Sequence, residues 1–215
     1  MPNIPNGPGE SEETFEYLPI QKWFMTKELK NRNHCNISFL ILVREKLDRD
    51  RLKRALLRLS SLHDMLRAAY PGGRQLCRRN SAIAEIKELD IRGKTVEDIQ
   101  RELTSWQSRF DPEQGYLWQS GILSGYSDGS ERIFMALHHL LVDPLSLGII
   151  RDDLRNLYEG REPEKKGNSY RQWVETVGMF GTNVTGEERL YWEKIRSEQE
   201  DSWPVEEPVI HDNKE

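Results

Sequence analysis

Ile133-Phe134-Met135-Ala136-Leu137-His138-His139-Leu140-Leu141-Val142-Asp143-Pro144-Leu145-Ser146 is the stretch on which the fold turns. Its first five residues are apolar and predict a short buried strand over Ile133–Leu137 that runs straight into two histidines. Asp143 followed by Pro144 predicts a helix start, because an aspartate caps the first amide groups and proline costs nothing at a position whose N–H has no partner. Leu147, Ile150, Leu154 and Leu157 then stripe one face of that helix. A strand end that enters a loop in this way is a common place for a site to be built.

Histidine moves protons near neutral pH, and a nearby carboxylate can hold an imidazole in one orientation. Three arrangements fit these residues. In the first, His138 is hydrogen-bonded in the core, His139 is a polar loop residue and Asp143 only caps a helix. In the second, the histidines and the carboxylate bind a transition metal; against this, adjacent strand residues point to opposite faces and do not converge on one ion. In the third, a single imidazole is catalytic while the other histidine and Asp143 keep the loop in shape.

Working outward, residues 1–14 are rich in Pro, Gly, Asn and Glu and predict a disordered lead-in. Ile20, Trp23, Phe24 and Leu29 stripe a helix within 18–29, Asn36–Val43 reads as a buried strand, and Asp48 caps a helix lined by Leu52, Ala55, Leu56, Leu59 and Leu62. Short strands at 65–70, 74–77 and 83–89, with a turn at Pro71-Gly72-Gly73, suggest a small meander. A helix over 96–110 ends at Asp111-Pro112, and a strand over 116–123 pairs across Gly125–Gly129 with 133–137. Ser169 and Thr185 cap two further helices, striped by Tyr170, Trp173, Val174 and Val177 and by Leu190, Tyr191 and Ile195. Trp23, Phe24, Trp173 and Trp192 are expected in the core. The acidic tail over 199–215, broken by Pro204 and Pro208, reads as a linker or free end.

The 215 residues carry a net charge of −5, with 31% charged and 36% hydrophobic residues, a pI near 5.7 and a mean hydropathy of −0.75. This balance argues against a general nucleic-acid binder and against a membrane span, so neither partner is expected. Cys35 and Cys77 have neither metal-ligand spacing nor disulfide density, which points to a reducing cytoplasm and no bound metal. The sequons at Asn36 and Asn183 lack a secretory context and read as chance.

His138-His139-xxx-Asp143-x-x-Ser146 resembles the HHxxxDGxS signature of the condensation superfamily of nonribosomal peptide synthetases, which includes their epimerization domains and is related to chloramphenicol acetyltransferase. Other blocks occur in the same order. Leu18-Pro19-Ile20-Gln21-Lys22-Trp23-Phe24 resembles the PIQxWF block that opens epimerization domains, and Asn33-His34-Cys35-Asn36-Ile37-Ser38 their NHxNQS strand. Leu62-His63-Asp64-Met65-Leu66-Arg67 resembles the HDxLR block. Phe110-Asp111 with Gly115 and Leu117, Ser169-Tyr170-xx-Trp173, and Tyr191-Trp192 resemble later markers.

The resemblance implies an α/β fold, a two-layer sandwich of a mixed, mostly antiparallel sheet with helices packed on it. It would be a chloramphenicol acetyltransferase-like single lobe over 15–198, corresponding to the N-terminal lobe of a two-lobed family. It also implies that the catalytic candidates are His139 and His138, with His139 as the acid/base group. Its substrate would be an aminoacyl or peptidyl thioester on the phosphopantetheine arm of a peptidyl carrier protein, with no cofactor bound by the lobe itself. His138 and Asp143 would support the site, Arg67 would pair with Asp143, and Ser146 and Pro144 would face the substrate.

Two departures stand out: Asp143-Pro144 replaces Asp-Gly, and the chain is about half the family's length. The expectation is a half-length enzyme that condenses, epimerizes, cyclises or isomerises such an intermediate, as a homodimer or with a separate second lobe. The competing expectation is a non-catalytic module that docks a carrier protein or a synthetase.

Overall fold

The computed structural model describes residues 14–27, 29–79, 83–163 and 167–202. The strand read at Ile133–Leu137 extends over Glu131–His138 (β6) and lies inside a four-stranded sheet. One neighbour is β1 (Asn36–Val43), paired antiparallel without interruption from Asn36↔His138 to Val43↔Glu131. The other is β5 (Trp118–Ser124), also antiparallel, and beyond it β4 (Lys87–Asp90) is parallel to β5. Ile133, Phe134, Met135, Ala136 and Leu137 are all buried. Both faces of β6 are therefore covered, which is why its sequence is an unbroken apolar run rather than an alternating one.

The helices are α1 (Pro19–Thr26), α2 (Arg49–Leu62), α3 (Val96–Gln107), α4 (Pro144–Tyr158), α5 (Tyr170–Thr182) and α6 (Gly186–Ser202). Asp48 caps α2 by accepting from the Arg51 amide, and Thr95 and Asp98 form a reciprocal capping box on α3. One face of the sheet meets α3 through Trp106, whose ring stands edge-on to Phe134 at 5.7 Å. Gly121 of β5 lies under that ring, where any added side chain would collide with the indole. Leu52, Leu56 and Leu59 of α2 join Ile150 and Leu154 of α4 in the same core. The result is the mixed, mostly antiparallel α/β lobe that the sequence led us to expect.

Several local readings need correction. The segment read as a strand over 65–70 is a 3-10 turn at Asp64–Arg67 followed by the two-residue strand β2 (Ala68–Ala69), which pairs with β3 (Leu76–Cys77). The cause is Arg67, whose guanidinium turns back onto the carbonyls of Ser60 and Ser61 at the end of α2 and ties the backbone into a tight turn. The third strand does not complete a meander. It begins at Lys87 and joins the main sheet, because α3 carries the chain over to β5 and such a crossover makes a parallel pair.

Trp23, Trp173 and Trp192 are more than half exposed, whereas Phe24 is buried. On α1, Phe24 takes the inward position and Trp23, one residue away on the helix, faces out, with the Lys27 ammonium 5.9 Å from its ring centre.

The chain divides into two compact units, Met1–Val174 and Glu175–Glu215. In the second, Thr185 and Glu188 cap α6 reciprocally, and Leu190, Tyr191 and Trp192 are exposed. The lead-in expected over 1–14 lies, except for Thr14, outside the described residues. Of the tail expected over 199–215, the first four residues continue α6 and the rest is also outside. No helix among the described residues is long and apolar enough to cross a membrane.

Candidate active site around the paired histidines

At the end of β6 the two histidines part company. His138 is fully buried, with its ring edge-on to Phe24 of α1 at 5.7 Å. Its Nε2 lies 2.8 Å from the Arg32 carbonyl, and its Nδ1 accepts the Leu140 amide at 3.1 Å. One nitrogen faces an acceptor and the other a donor, so the ring is neutral and protonated on Nε2. Burial lowers its pKa from the ordinary imidazole value. The Arg32 carbonyl opposes that shift, and the neighbouring His139 and His34 add to it.

His139 is exposed. Its amide extends the ladder by one residue, donating to the Cys35 carbonyl at 2.7 Å, while its ring has no hydrogen-bond partner among the described residues. A turn follows at once, closed by the Leu141 amide on the His138 carbonyl at 2.9 Å. Leu140, Leu141 and Val142 then plunge back into the core. The imidazole is thus free on a backbone that is fixed on both sides.

A clamp that the sequence reading missed holds this turn. The Leu140 carbonyl accepts from Tyr70 Oη at 3.0 Å and from Gln21 Nε2 at 3.3 Å, and Gln21 Nε2 also donates to Tyr70 Oη at 3.2 Å. Gln21 Oε1 in turn accepts the Leu18 amide at the start of α1. Both side chains are buried, and burial first, then nearby Tyr170, Cys77 and Tyr17, pushes the Tyr70 phenol well above its usual range. Tyr70 therefore stays a hydrogen-bond donor. The available signal was a glutamine on the same helical stripe as Phe24: a polar residue on a buried face must have a partner.

Asp143 caps α4, its Oδ1 accepting from the Ser146 amide at 2.7 Å and from Ser146 Oγ at 2.6 Å. These bonds hold its carboxyl below the usual range. Pro144 is the first residue of α4, as read, and is exposed. The expected Arg67–Asp143 ion pair does not form. Arg67 instead bonds Asp64 at 3.1 Å, the Arg78 carbonyl at 2.8 Å and the carbonyls of Ser60 and Ser61. The close α2 terminus saturates the guanidinium, and Ser146 saturates Asp143. Arg67 thus supports the α2 end and not the histidine turn.

A second acid/base pair, His63 Nε2 and Asp153 Oδ2 at 2.8 Å, joins the end of α2 to α4. It borders a cavity of about 270 Å³ that Leu141, Val142 and Ser146 also line; His139 is not among the lining side chains. No group of three or more metal-ligating side chains occurs among the described residues.

A mixed sheet whose inner strand runs into one buried and one exposed histidine, followed by an aspartate-capped helix, defines the class: an α/β lobe with paired histidines at a strand end. A model of the condensation domain matches residues 11–209, and the chain belongs to that family of nonribosomal peptide biosynthesis. Over 180 residues it is 38% identical to the N-(5-amino-5-carboxypentanoyl)-L-cysteinyl-D-valine synthase of Amycolatopsis lactamdurans, an overlap covering 83% of this chain and 5% of that protein. With surfactin synthase subunit 1 of Bacillus subtilis the identity is 29% over 207 residues, or 89% of this chain and 6% of that one.

Among solved structures, the epimerization domain from the third module of tyrocidine synthetase B superposes with a TM-score of 0.65 at 25% identity, over 80% of this chain and 41% of that chain. The starter condensation domain of rhizomide synthetase gives 0.68 at 17% identity, over 85% and 49%. The chain therefore spans about a twentieth of these synthetases and less than half of the solved domain chains.

Proposed function

We propose that this chain serves peptide natural-product biosynthesis as an acid/base catalyst, with His139 acting on an aminoacyl or peptidyl intermediate that is either thioester-bound to a carrier's phosphopantetheine arm or released from it. The observation that carries this reading is the free His139 imidazole on a backbone pinned by Cys35 and by the Leu140 clamp. A general acid/base group needs reach and a fixed origin, and His139 has both. His138 holds the turn and cannot exchange a proton while both its nitrogens are engaged.

In condensation, His139 would assist attack of an amine on the thioester carbonyl. In epimerization it would remove and return the proton α to that carbonyl. Family membership leaves cyclisation or isomerisation of a related intermediate open. Pro144 stands where the family's glycine would let an arm approach closely, which favours a released or differently presented substrate. We further propose that a homodimer or a separate second lobe provides the wall facing His139.

The test is His139→Ala assayed with an aminoacyl or peptidyl carrier thioester and with its small-molecule thioester analogue. Turnover should drop by about 10²–10⁴-fold, the usual contribution of a general acid/base. Unchanged turnover removes His139 from the mechanism. The second reading, a non-catalytic module that docks a carrier protein or a synthetase, draws on the exposed Ile20 and Trp23 of α1 with Lys27 beside them. A chain that binds a carrier protein yet shows no histidine-dependent turnover would favour it.

A further inference from the structure

The clamp on the Leu140 carbonyl is built from α1 and from the segment after α2, but a third element touches it. Tyr170 is the first residue of α5, and its hydroxyl is hydrogen-bonded to the Gln21 carboxamide. Burial raises its phenol, as it does that of Tyr70, so both stay neutral hydroxyls. Gln21 thus meets Tyr70, the Leu140 carbonyl, Tyr170 and the Leu18 amide at once. Tyr170 is itself well anchored. Its amide donates to Asp64 Oδ2 at 3.0 Å, and its ring stands edge-on to the buried Phe15 at 6.2 Å. Ser169 and Gln172 cap the same turn reciprocally, so the backbone that carries the phenol is fixed before the phenol reaches Gln21. All of these residues lie in the unit Met1–Val174.

We infer that Tyr170 is a positioning residue for His139, acting through Gln21 on the turn that carries the imidazole. The inference rests on the reading of His139 as the acid/base group and adds the first turn of α5 to the parts that hold it. A carboxamide offers two hydrogens at one end and two lone pairs at the other, so its orientation decides what it can serve. The Leu18 amide engages Oε1 and thereby directs Nε2 at the Leu140 carbonyl. Tyr70 and Tyr170 are then what keep the amide end from swinging. Without the Tyr170 hydroxyl that end gains freedom, and the Leu140 peptide, joined directly to His139, loses part of its alignment. Misplacing a reacting group by about 1 Å can cost about 10²-fold in rate, so slack in this peptide is felt in turnover before it is felt in binding.

The test is Tyr170→Phe in the full chain, which keeps the ring against Phe15 and removes only the hydroxyl. Amide hydrogen exchange followed by NMR should rise about two- to tenfold at His139 and Leu141, whose amides close the turn, relative to Ile133–Leu137 inside β6. The rise should vanish when Gln21→Leu is already present, because the effect passes through Gln21. With an aminoacyl N-acetylcysteamine thioester as probe, kcat should fall about tenfold at unchanged KM, and no further in a His139→Ala background. Exchange that stays unchanged, or that rises equally along β6, overturns the inference. A loosened turn with kcat retained, in a chain whose turnover needs His139, overturns it as well. If Tyr170→Phe does not fold, Asp64→Asn loosens the Tyr170 amide instead and should give the same pattern at His139 and Leu141. Turnover that survives His139→Ala removes the acid/base reading, and the exchange pattern then decides by itself whether Tyr170 holds the turn.

Discussion

Replacing His138 by phenylalanine keeps a flat ring of similar size against Phe24 but removes both nitrogens. The buried Leu140 amide and the part-buried Arg32 carbonyl then lose their partners. Leaving a buried polar group unpaired costs about 1–3 kcal/mol, so the Leu140 amide alone sets a loss of that size, to which the part-buried Arg32 carbonyl adds less. The wild type should also depend on pH in a way that the variant does not. Burial sets the folded pKa of His138 below the ordinary 6.5, so between those two values the unfolded chain holds a proton that the folded chain lacks.

The contribution of His138 is therefore complete above pH 6.5 and declines as the pH falls, by at most about 1.4 kcal/mol per unit, until the folded ring itself protonates. Urea unfolding of both proteins from about pH 7.5 to about 5 measures this, and the difference between them cancels the other histidines, His34 and His139 among them. Equal stabilities with parallel pH profiles would refute the neutral, doubly bonded imidazole and the support role built on it.

The other expectations concern the parts that surround this ring. Tyr70→Phe should destabilise the chain by about 1–2 kcal/mol, because Gln21 still serves the Leu140 carbonyl, and a double-mutant cycle with Gln21→Leu should show coupling of about 0.5–3 kcal/mol in urea unfolding. Arg67→Met and Asp143→Asn should be additive within about 0.5 kcal/mol in the same measurement, since the two side chains do not meet; coupling beyond that would restore the ion pair. Gly121→Ala should cost at least about 1–3 kcal/mol by thermal unfolding, because the methyl group collides with Trp106. His139→Ala should leave stability within about 0.5 kcal/mol of wild type, as an exposed ring without partners should.

The sequence showed its skeleton where one rule governed a segment. Asn36–Val43 is a strand from end to end because apolar, partly β-branched residues run through it, though as an edge strand none of its residues is buried, contrary to the buried strand expected, and Asp143-Pro144 starts α4 because capping chemistry is local. It hid what depends on distant partners. Met65–Tyr70 looks like a strand from composition, but Arg67 finds the carbonyls of α2 first. Trp23 and Trp173 sit at helical spacing, yet spacing only places residues on a face and does not say which face has a neighbour.

The site was legible to the same degree. The two histidines, the capping aspartate and Ser146 all follow from the order of residues. The Leu140 clamp does not, since Gln21, Tyr70 and Leu140 are brought together only by the packing of α1 and the segment after α2 around β6. The family resemblance was informative about fold and misleading about one contact, because Arg67 retains the motif position without its expected partner.

That contact matters for how the histidine turn is held. With no Arg67 beside Asp143, no charge pair fixes the turn; it is held by neutral groups, namely the His138 ring, the Tyr70 phenol and the Gln21 carboxamide. Two of these fix the Leu140 carbonyl and one fixes the Leu140 amide, so a single peptide on each side of one residue bears the positioning of His139. Neutral hydrogen bonds inside a core are little affected by salt, unlike an exposed ion pair. Strand alternation then does the rest. Adjacent residues at a strand end point to opposite sides, so the two imidazoles do not share one environment: His138, still within β6, turns into the core against Phe24, and His139, one residue past the strand end, is left exposed.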